Sequence, residues 1–369
     1  MAKTISFARG APSLDIIDVD GLRAAADQAF ASDPAGTTAY GTAVGYPPLR
    51  EWIAERHEVS PEQVIVTNGS MQADAFLFDA LVEPGDLVVV ERPTYDRTLL
   101  ALRQRGADVR MVELEEDGID VAALERLLAA HGPPKLAHII PNFQNPAGYT
   151  LSRQKRDRLV ALADEYGFTI FEDDPYVDIR FEGEPLPTML SLDTKNVVYA
   201  CSFSKTVCPG IRVGYLVGPE ELIGRIVKIA TSTYISPNMV AQAIVHQFAT
   251  SGALEKSIET VKNALRQRAA TLATALRREL PEARFIEPEG GYFLWLDFPR
   301  GTDVAAMFDA AKERGVQFVK GSDFVLEGGE SSLRLAYAAV TPEEIEEGVS
   351  RLAEVYREVG AKEQSVSAA

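Results

Sequence analysis

From residue 63 to residue 218, short apolar runs alternate with longer stretches in which apolar residues recur with helical spacing. The short runs predict buried strands: VIVT at 64–67, LVVVE at 87–91, AHIIP at 137–141, FTIFE at 168–172, VVYAC at 197–201 and VGYLVG at 213–218. The longer stretches predict helices at 70–82, 95–106, 120–130 and 152–166. This alternation is typical of an α/β fold with a mainly parallel sheet flanked by helices.

A long amphipathic stretch at 251–280 separates this region from the C-terminal part of the chain. It has no internal proline and ends at Pro281, so it predicts a helix that links two domains. The remaining chain has the mixed pattern of a smaller α+β domain, with strands predicted at 293–298, 316–319 and 333–337 and helices at 302–313 and 342–358. We expect an N-terminal arm and part of the small domain at 1–35, a large domain at 36–258, and the interdomain helix with the small C-terminal domain at 259–369.

Composition excludes several classes of function. The 369 residues include 54 acidic and 37 basic ones, and the net charge of −17 argues against a nucleic-acid partner because the backbone phosphates would be repelled. There is neither an apolar run of the ~18 residues that a membrane helix needs nor a secretory signal at the N-terminus, so we expect a cytoplasmic protein without a membrane partner. The two cysteines and four histidines lack the spacing of metal ligands, and we predict no metal site.

The first segment with candidate chemistry follows the strand predicted at 197–201. It reads Ser-Phe-Ser-Lys-Thr with Lys205 in fourth place, and Arg212 follows seven residues after the lysine. A lysine amine forms an imine with an aldehyde, while hydroxyl and guanidinium groups bind phosphate. Taken alone, the segment is more simply explained as a surface lysine in a serine-rich loop.

Three other predicted strands also end in polar residues. Asp173 and Tyr176 follow the strand at 168–172, at the sheet edge where open α/β folds bind ligands, and a carboxylate there can pair with a protonated ring nitrogen. Asn145 lies in the turn Asn-Pro-Ala-Gly after the strand at 137–141. Ser70 and Met71 begin a helix after Gly69, and a helix N-terminus suits a phosphate. An acidic turn, a proline turn and a helix cap are the simpler explanations of these segments taken singly.

Together the four segments resemble the fold-type-I pyridoxal-phosphate enzymes, specifically the class I/II aminotransferases. The resemblance covers nearly the whole chain and is strongest to the subgroup of 2-aminoadipate and kynurenine aminotransferases and the effector domains of MocR-type regulators. It implies a fold-type-I PLP-dependent transferase, with a mainly parallel sheet in the large cofactor-binding domain and a smaller α+β domain. It also implies that the cofactor is pyridoxal 5′-phosphate.

The resemblance implies a role for individual residues. Lys205 matches the lysine that forms the Schiff base, Asp173 the partner of the pyridine nitrogen, and Tyr176 a donor to the phenolic oxygen; these three are the expected catalytic residues. Further contacts to the cofactor are expected from Ser70, the Met71 amide, Tyr95, Asn145, Ser202, Arg212 and, in a homodimer, Tyr40 of the partner subunit. Tyr40 lies in Thr-Ala-Tyr-Gly, ahead of the first strand of the predicted sheet.

Arg334 is the candidate for binding the substrate's carboxylate. It lies in the middle of the strand predicted at 333–337, where an arginine is costly unless an anion pairs with it. A bidentate pair with a substrate α-carboxylate provides that anion. Asn145 and the segment containing Arg9 and Gly10 are the other expected substrate contacts; for Arg9 a solvent-exposed role is the alternative.

The implied reaction moves an amino group from an L-amino acid to a 2-oxo acid by a ping-pong mechanism, with 2-oxoglutarate or pyruvate favoured as acceptor. A β-lyase on the same fold is the alternative, since the residues that bind the cofactor do not separate the two reactions. The effector domain of a regulator is disfavoured, because the first cofactor motif begins near residue 67 and leaves no room for a winged helix before it.

Overall fold

The chain is described here over residues 3–366 of a computed structural model. Its strands are β1 (Ile5–Ser6), β2 (Val64–Thr67), β3 (Leu87–Arg92), β4 (Asp108–Glu115), β5 (Gly118–Ile119), β6 (Leu136–Ile139), β7 (Thr169–Asp173), β8 (Val197–Ser202), β9 (Gly214–Val217), β10 (Phe293–Asp297), β11 (Val316–Gln317), β12 (Val319–Lys320) and β13 (Ser332–Ala336). Its helices are α1 (Val19–Ser32), α2 (Pro34–Thr38), α3 (Pro47–Arg56), α4 (Ser70–Leu81), α5 (Asp96–Gln104), α6 (Val121–His131), α7 (Arg153–Tyr166), α8 (Met189–Leu192), α9 (Glu220–Tyr234), α10 (Met239–Thr250), α11 (Ala253–Glu279), α12 (Val304–Glu313) and α13 (Pro342–Val366).

An eight-stranded sheet in the order β2-β9-β8-β7-β6-β3-β4-β5 forms the centre of the fold. Neighbouring strands from β8 to β4 run parallel, whereas β9 is antiparallel to both of its neighbours and β5 is antiparallel to β4. The predicted fold class, a mainly parallel sheet with flanking helices, is therefore confirmed. Because β6, β7 and β8 are parallel, their carboxyl ends meet at one edge of the sheet.

The six predicted strands of the central sheet are confirmed to within two residues at either end, and the four predicted helices between them are also present. Strand β4 has no counterpart among the predictions. Its sequence, DVRMVELE, alternates charged and apolar residues, and only Val112 is fully buried, so it lacks the continuous apolar run of the inner strands. The single strand predicted at 316–319 is wrong, because β11 and β12 are separate strands that pair with different partners, β1 and β13.

Two apolar cores cover the faces of the central sheet. Successive strand residues point to opposite faces, so Val64 and Val66 pack into the core under α3, α7 and α10, while Ile65 packs into the core under α4 and α9. A third core joins β10, β13, α12 and α13 to the N-terminal residues around β1. Helix α11 contributes Leu254 to the first core and Val261 to the third. The division of the chain at 35/36 and 258/259 stays a prediction.

A buried arginine fixes the loop that follows β6. Arg156 of α7 donates hydrogen bonds to the carbonyl oxygens of Pro141, Leu151 and Pro187 and to Asn142 Oδ1, at 2.9–3.1 Å. Four bonds from one guanidinium leave this loop little freedom, so the segment that carries Asn145 is held rigidly at the sheet edge.

Of the helices within residues 3–366, none is both long and apolar enough to cross a membrane.

Candidate active site

A cavity of about 510 Å³ opens at the carboxyl edge of the central sheet, where the third core meets the sheet. Its volume lies in the range of small-molecule sites. It brings together residues from the N-terminal segment, α4, β7, the turn after β8 and β13. The predicted site residues that line it are Arg9, Gly10, Ser70, Met71, Tyr95, Asn145, Asp173, Tyr176, Lys205 and Arg334.

Lys205 points into this cavity from the turn after β8. Its Nζ donates a 2.8 Å hydrogen bond to the Gly10 carbonyl oxygen and lies 5.6 Å from the ring centre of Tyr176. The pKa of Lys205 is lowered to about 8, mainly by burial and then by the nearby Arg334 and Arg212, while Asp173 opposes the shift. With that pKa, roughly a tenth of the amine is neutral at pH 7, and the neutral amine is the form that attacks a carbonyl.

Asp173 lies at the last position of β7, buried at the floor of the cavity. His138 of the neighbouring β6 is fully buried, and its Nε2 lies 3.3 Å from Asp173 Oδ2. The histidine leaves the other carboxylate oxygen of Asp173 for a ligand. No chemistry was expected of this histidine from the sequence, but it orients the carboxylate.

Tyr176 and Tyr292 form an aromatic wall beside Lys205. The ring centre of Tyr292 lies 5.3 Å from the lysine Nζ, and its hydroxyl donates a 2.8 Å hydrogen bond to the Lys205 carbonyl oxygen. The pKa of Tyr176 is raised by burial and, to a smaller extent, by Tyr95 and Asp173. Tyr176 therefore keeps its proton at neutral pH and can act as a hydrogen-bond donor within the cavity.

Arg334 reaches the cavity from the middle of β13, between the rings of Phe293 and Phe324, with its Cζ 4.3 and 4.8 Å from their centres. Nη1 donates to Asn145 Oδ1 and Nη2 to the Ala8 carbonyl oxygen, both at 2.8 Å. Over residues 3–366, nothing accepts a hydrogen bond from its buried Nε, and no carboxylate forms an ion pair with it. A buried guanidinium without an anionic partner is costly, which fits a site for an anionic ligand.

The helix N-terminus of α4 and Arg212 form a second group at the edge of the cavity. Gly69 precedes Ser70 with φ +90°, and a Cβ atom at Gly69 would lie 2.3 Å from Arg212 Nη2. Arg212 Nη1 donates a 3.2 Å hydrogen bond to Ser204 Oγ. The exposed amide groups of a helix N-terminus beside a guanidinium are suited to a phosphate.

Three predicted site residues lie outside the cavity lining. Ser202 is buried, and its hydroxyl lies 3.5 Å from the Val213 carbonyl oxygen and accepts a 3.2 Å hydrogen bond from the Ser204 amide. Arg212 lies behind Gly69, as described above. Tyr40 follows α2 and is 89% exposed on the surface of the single chain.

The sequence profile of aminotransferase class I and II matches residues 2–352. The chain belongs to the class I and II aminotransferases. It is 34% identical to the 2-aminoadipate transaminase of Thermus thermophilus, over 94% of this chain and 89% of that protein. It is 32% identical to aromatic-amino-acid aminotransferase 1 of Thermococcus litoralis, over 96% of this chain and 88% of that protein.

Solved structures of aminotransferases have the same fold. The α-aminoadipate aminotransferase of Thermus thermophilus, complexed with N-(5′-phosphopyridoxyl)-L-leucine, has a TM-score of 0.93 and is 33% identical, over 97% of this chain and 93% of that one. The kynurenine aminotransferase of Pyrococcus horikoshii, in complex with PMP, has a TM-score of 0.93 and is 32% identical, over 97% and 92%. This aminotransferase is therefore an enzyme that uses pyridoxal 5′-phosphate and acts on amino acids and oxo acids.

The residues of the cavity fit this cofactor. The aminotransferase has a buried lysine amine for the aldehyde, a carboxylate with a free oxygen for the ring nitrogen, and a helix N-terminus with an arginine for the phosphate. These groups come from different strands and helices; the lysine, the carboxylate and the helix N-terminus line one cavity, and the arginine lies at its edge. Arg334 also has a buried Nε without a hydrogen-bond partner, which fits a further anion beside the cofactor, and the substrate carboxylate is such an anion.

Three residues of the aminotransferase site were not predicted from the sequence. His138 lies inside an apolar strand pattern and Tyr292 directly before one, and in such places a histidine or tyrosine is ordinarily part of the core. Asp74 of α4 also lines the cavity. It lies in a mostly apolar part of the helix, because residues 73–81 contain no polar residue other than Asp74 and Asp79. A carboxylate four residues after Ser70, on the same face of the helix, was the signal that could have revealed it.

Proposed function

We propose that this aminotransferase moves an amino group from an L-amino acid to a 2-oxo acid by a ping-pong mechanism, with Lys205 as the proton carrier. The observation that carries the proposal is the Lys205 amine, buried in the cavity with its pKa lowered to about 8. When bound, the cofactor supplies an aldehyde for the amino group and a ring that withdraws electrons from the substrate Cα.

Lys205 would remove the Cα proton of the substrate and deliver it to the cofactor carbon that carried the aldehyde. A base with a pKa near the working pH is the most effective for such a transfer, which contributes ~10²–10⁴-fold to the rate. The hydrogen bond from Tyr292 to the Lys205 backbone supports the geometry, because it fixes the main chain from which the side chain extends.

Arg334 would bind the α-carboxylate and so decide which substrate bond faces Lys205. Its Nε is free, and its two terminal nitrogens bond only to neutral oxygens, so a carboxylate gains a charged partner without breaking an ion pair. Asp173, with His138 behind it, would pair with the ring nitrogen, and Tyr176 and Asn145 would donate to the phenolic oxygen. Tyr95 would stack on the ring, while Ser70, Met71, Ser202 and Arg212 would bind the phosphate.

We also propose a homodimer in which Tyr40 of the partner subunit reaches the phosphate, supported by the exposure of Tyr40 on the single chain. For the acceptor we favour 2-oxoglutarate or pyruvate. Arg9 and Gly10 line the cavity on the N-terminal side and would contact the substrate. A cytoplasmic location and the lack of a nucleic-acid or membrane partner stay predictions that only the sequence supports.

The test is a panel of amino donors against 2-oxoglutarate and pyruvate, with the products identified. The panel should include 2-aminoadipate, kynurenine and the aromatic amino acids, which appear in the names of the relatives. For the active pair, we expect parallel lines in double-reciprocal plots of initial rate against donor concentration at several acceptor concentrations, as a ping-pong mechanism gives. Release of ammonia and pyruvate from cysteine conjugates without any 2-oxo acid would contradict the proposal and favour a β-lyase.

A further inference from the structure

Asp74 places a second carboxyl group in the active-site cavity. It lies one helical turn after Ser70 on α4, so both side chains face the cavity, with a rise of ~6 Å along the helix between them. Its neighbours on the helix, Ala73, Phe76 and Leu77, are buried in the apolar core between α4 and the sheet. Asp74 itself is only 8% exposed.

One oxygen of Asp74, Oδ1, lacks the hydrogen bonds that other buried carboxylates of the chain have. Glu172 accepts bonds from the amides of Met189 and Leu190, and Asp174 accepts two from Asn142. Within the described part of the chain, Asp74 Oδ1 is the buried carboxylate oxygen without a partner. A fold gains nothing from such a group, because desolvation of an unpaired polar atom costs free energy.

The charged groups that line the cavity with Asp74 are the acids Asp96 and Asp173 and the cations Arg9, Arg97, Lys205 and Arg334. The charge that acts on Asp74 is that of Asp173 of β7, which has His138 of β6 behind it, and Tyr95 faces Asp74 from the segment before α5. Burial, and then the charge of Asp173, raise the pKa of Asp74 well above its usual value. The charge of Asp173 also acts on Lys205, in the direction that raises the pKa of the lysine.

We propose that Asp74 is a second acidic group of the cofactor-ring site, which contacts the bound ring beside Asp173 and balances its positive charge. Asp74 lines the same cavity as Ser70, proposed for the phosphate, and Asp173, proposed for the ring nitrogen, so a bound ring would lie in the cavity that Asp74 faces. A cation there pairs with the carboxyl group that otherwise has no partner. The inference rests on the proposed role of Asp173 at the ring nitrogen.

Cofactor binding should then be coupled to the ionisation of Asp74. The raised pKa favours the protonated form of Asp74 without cofactor, and a positively charged ring would favour its carboxylate, so we expect binding to be accompanied by proton release. The contribution of Asp74 to affinity must therefore grow as the pH rises. For the cofactor-free chain we expect the opposite dependence on pH. A raised carboxyl pKa contributes to the free energy of unfolding at low pH, and this contribution is lost as the pH rises through that pKa.

The experiment measures the dissociation constant of pyridoxal phosphate for the full chain, reconstituted from the cofactor-free form, between pH ~5.5 and ~8.5. Asp74→Asn removes the charge and Asp74→Leu also removes the unpaired oxygen. Asp79→Asn is the matched control, because Asp79 lies on the same helix and pairs with Arg105 at the surface. Urea unfolding of each cofactor-free variant is measured over the same pH range.

Both Asp74 variants should bind the cofactor about ten- to a hundredfold more weakly at the upper pH and nearly as well as the wild type at the lower. Their cofactor-free forms should be at least as stable as the wild type at the upper pH. Asp79→Asn should change neither readout with pH. Asp74 variants that bind the cofactor with wild-type affinity at every pH overturn the inference, and so does a weakening that is the same at every pH.

Asp173→Asn separates this inference from the proposed site. If Asp173→Asn weakens cofactor binding while the Asp74 variants do not, the role of Asp74 alone is wrong. If Asp173→Asn also leaves the affinity unchanged, the proposed placement of the ring nitrogen is wrong. Should Asp74→Leu fail to fold, the near-isosteric Asp74→Asn still gives the decisive pH dependence.

Discussion

Arg334 Nη1 donates a 2.8 Å hydrogen bond to Asn145 Oδ1, and so connects strand β13 to the loop after β6. Arginine only donates hydrogen bonds, so the amide oxygen of Asn145 must face it. The Nδ2 group of Asn145 consequently points away from Arg334. The orientation needed for Asn145 to donate to the cofactor is thus set by the residue proposed to bind the substrate.

Replacing Arg334 should weaken the binding of both substrates of the reaction. Arg334→Ala removes the guanidinium proposed to bind the α-carboxylate, which the amino acid and the 2-oxo acid share. We expect KM to rise at least tenfold for both, with the cofactor affinity within a few-fold of the wild type. Steady-state kinetics test this, with the exposed Arg153→Ala as control. A rise for one substrate only would mean that Arg334 contacts a side chain.

Replacing Lys205 should abolish the covalent attachment of the cofactor. Lys205→Ala is expected to bind pyridoxal phosphate without forming an imine and to lose at least ~10²-fold in kcat, since the proton carrier is gone. Borohydride reduction followed by mass spectrometry locates the adduct. The control is Lys195→Ala, whose side chain is exposed. A reduced adduct that persists in the Lys205 variant would show that another amine bears the cofactor.

Lys205 should also make the stability of the cofactor-free enzyme depend on pH. Burial lowers its pKa to about 8, so the folded state is penalised when the amine is charged. The penalty is absent above the ordinary lysine pKa, grows as the pH falls toward about 8 and is complete below it. Lys205→Met should therefore raise the free energy of unfolding by roughly 1–3 kcal/mol at pH 7 and by much less near pH 10. Urea unfolding at the two pH values measures the difference, and an equal gain at both would contradict it.

The sequence was sufficient to predict the parts of the site that follow strands. Asp173 comes directly after a continuous apolar run and Lys205 lies four residues after one, and such runs are recognisable because inner strands of a parallel sheet are buried on both faces. The same reasoning could not predict which strands are neighbours. The contact of Asp173 with His138 depends on β6 lying beside β7, where His138 is paired with Phe171.

Residues inside regular elements were harder to predict. Asp74 lies in an apolar helix and His138 in an apolar strand, and the pattern alone does not distinguish a buried polar residue at a ligand site from one in the core. Strand β4 was not predicted because it is half exposed and carries charged residues at alternate positions. Burial and strand order, which only the folded chain provides, were needed in each case.

Asp173 and its neighbour Asp174 should differ in what they affect. Asp173 lines the cavity, whereas Asp174 is fully buried and accepts two hydrogen bonds from Asn142. Asp173→Asn should keep the fold and lose most of kcat, because the ring nitrogen loses its anion. Asp174→Asn should mainly lower the free energy of unfolding, by about 1–3 kcal/mol. Kinetics and urea unfolding of both variants test this. Near-normal turnover of Asp173→Asn would show that another group pairs with the ring nitrogen.

Tyr40 should contribute to cofactor binding only in a dimer. Its side chain is 89% exposed on the single chain, in the segment between α2 and α3, and an exposed tyrosine in such a segment is free to contact a second copy. A hydrogen bond to a charged group is worth roughly 1.5–3 kcal/mol, so Tyr40→Phe should weaken cofactor affinity about ten- to a hundredfold while the lysine still forms its imine.

The measurements are sedimentation of the wild type and cofactor titration of Tyr40→Phe, with Tyr166→Phe as control because Tyr166, the last residue of α7, packs against the first core. The mass of a dimer, together with weaker cofactor binding by Tyr40→Phe alone, is the expected result. If Tyr40 acted within its own chain, dilution to monomers would leave the difference between wild type and variant unchanged. A stable monomer with full activity would contradict the proposed exchange of Tyr40 between subunits.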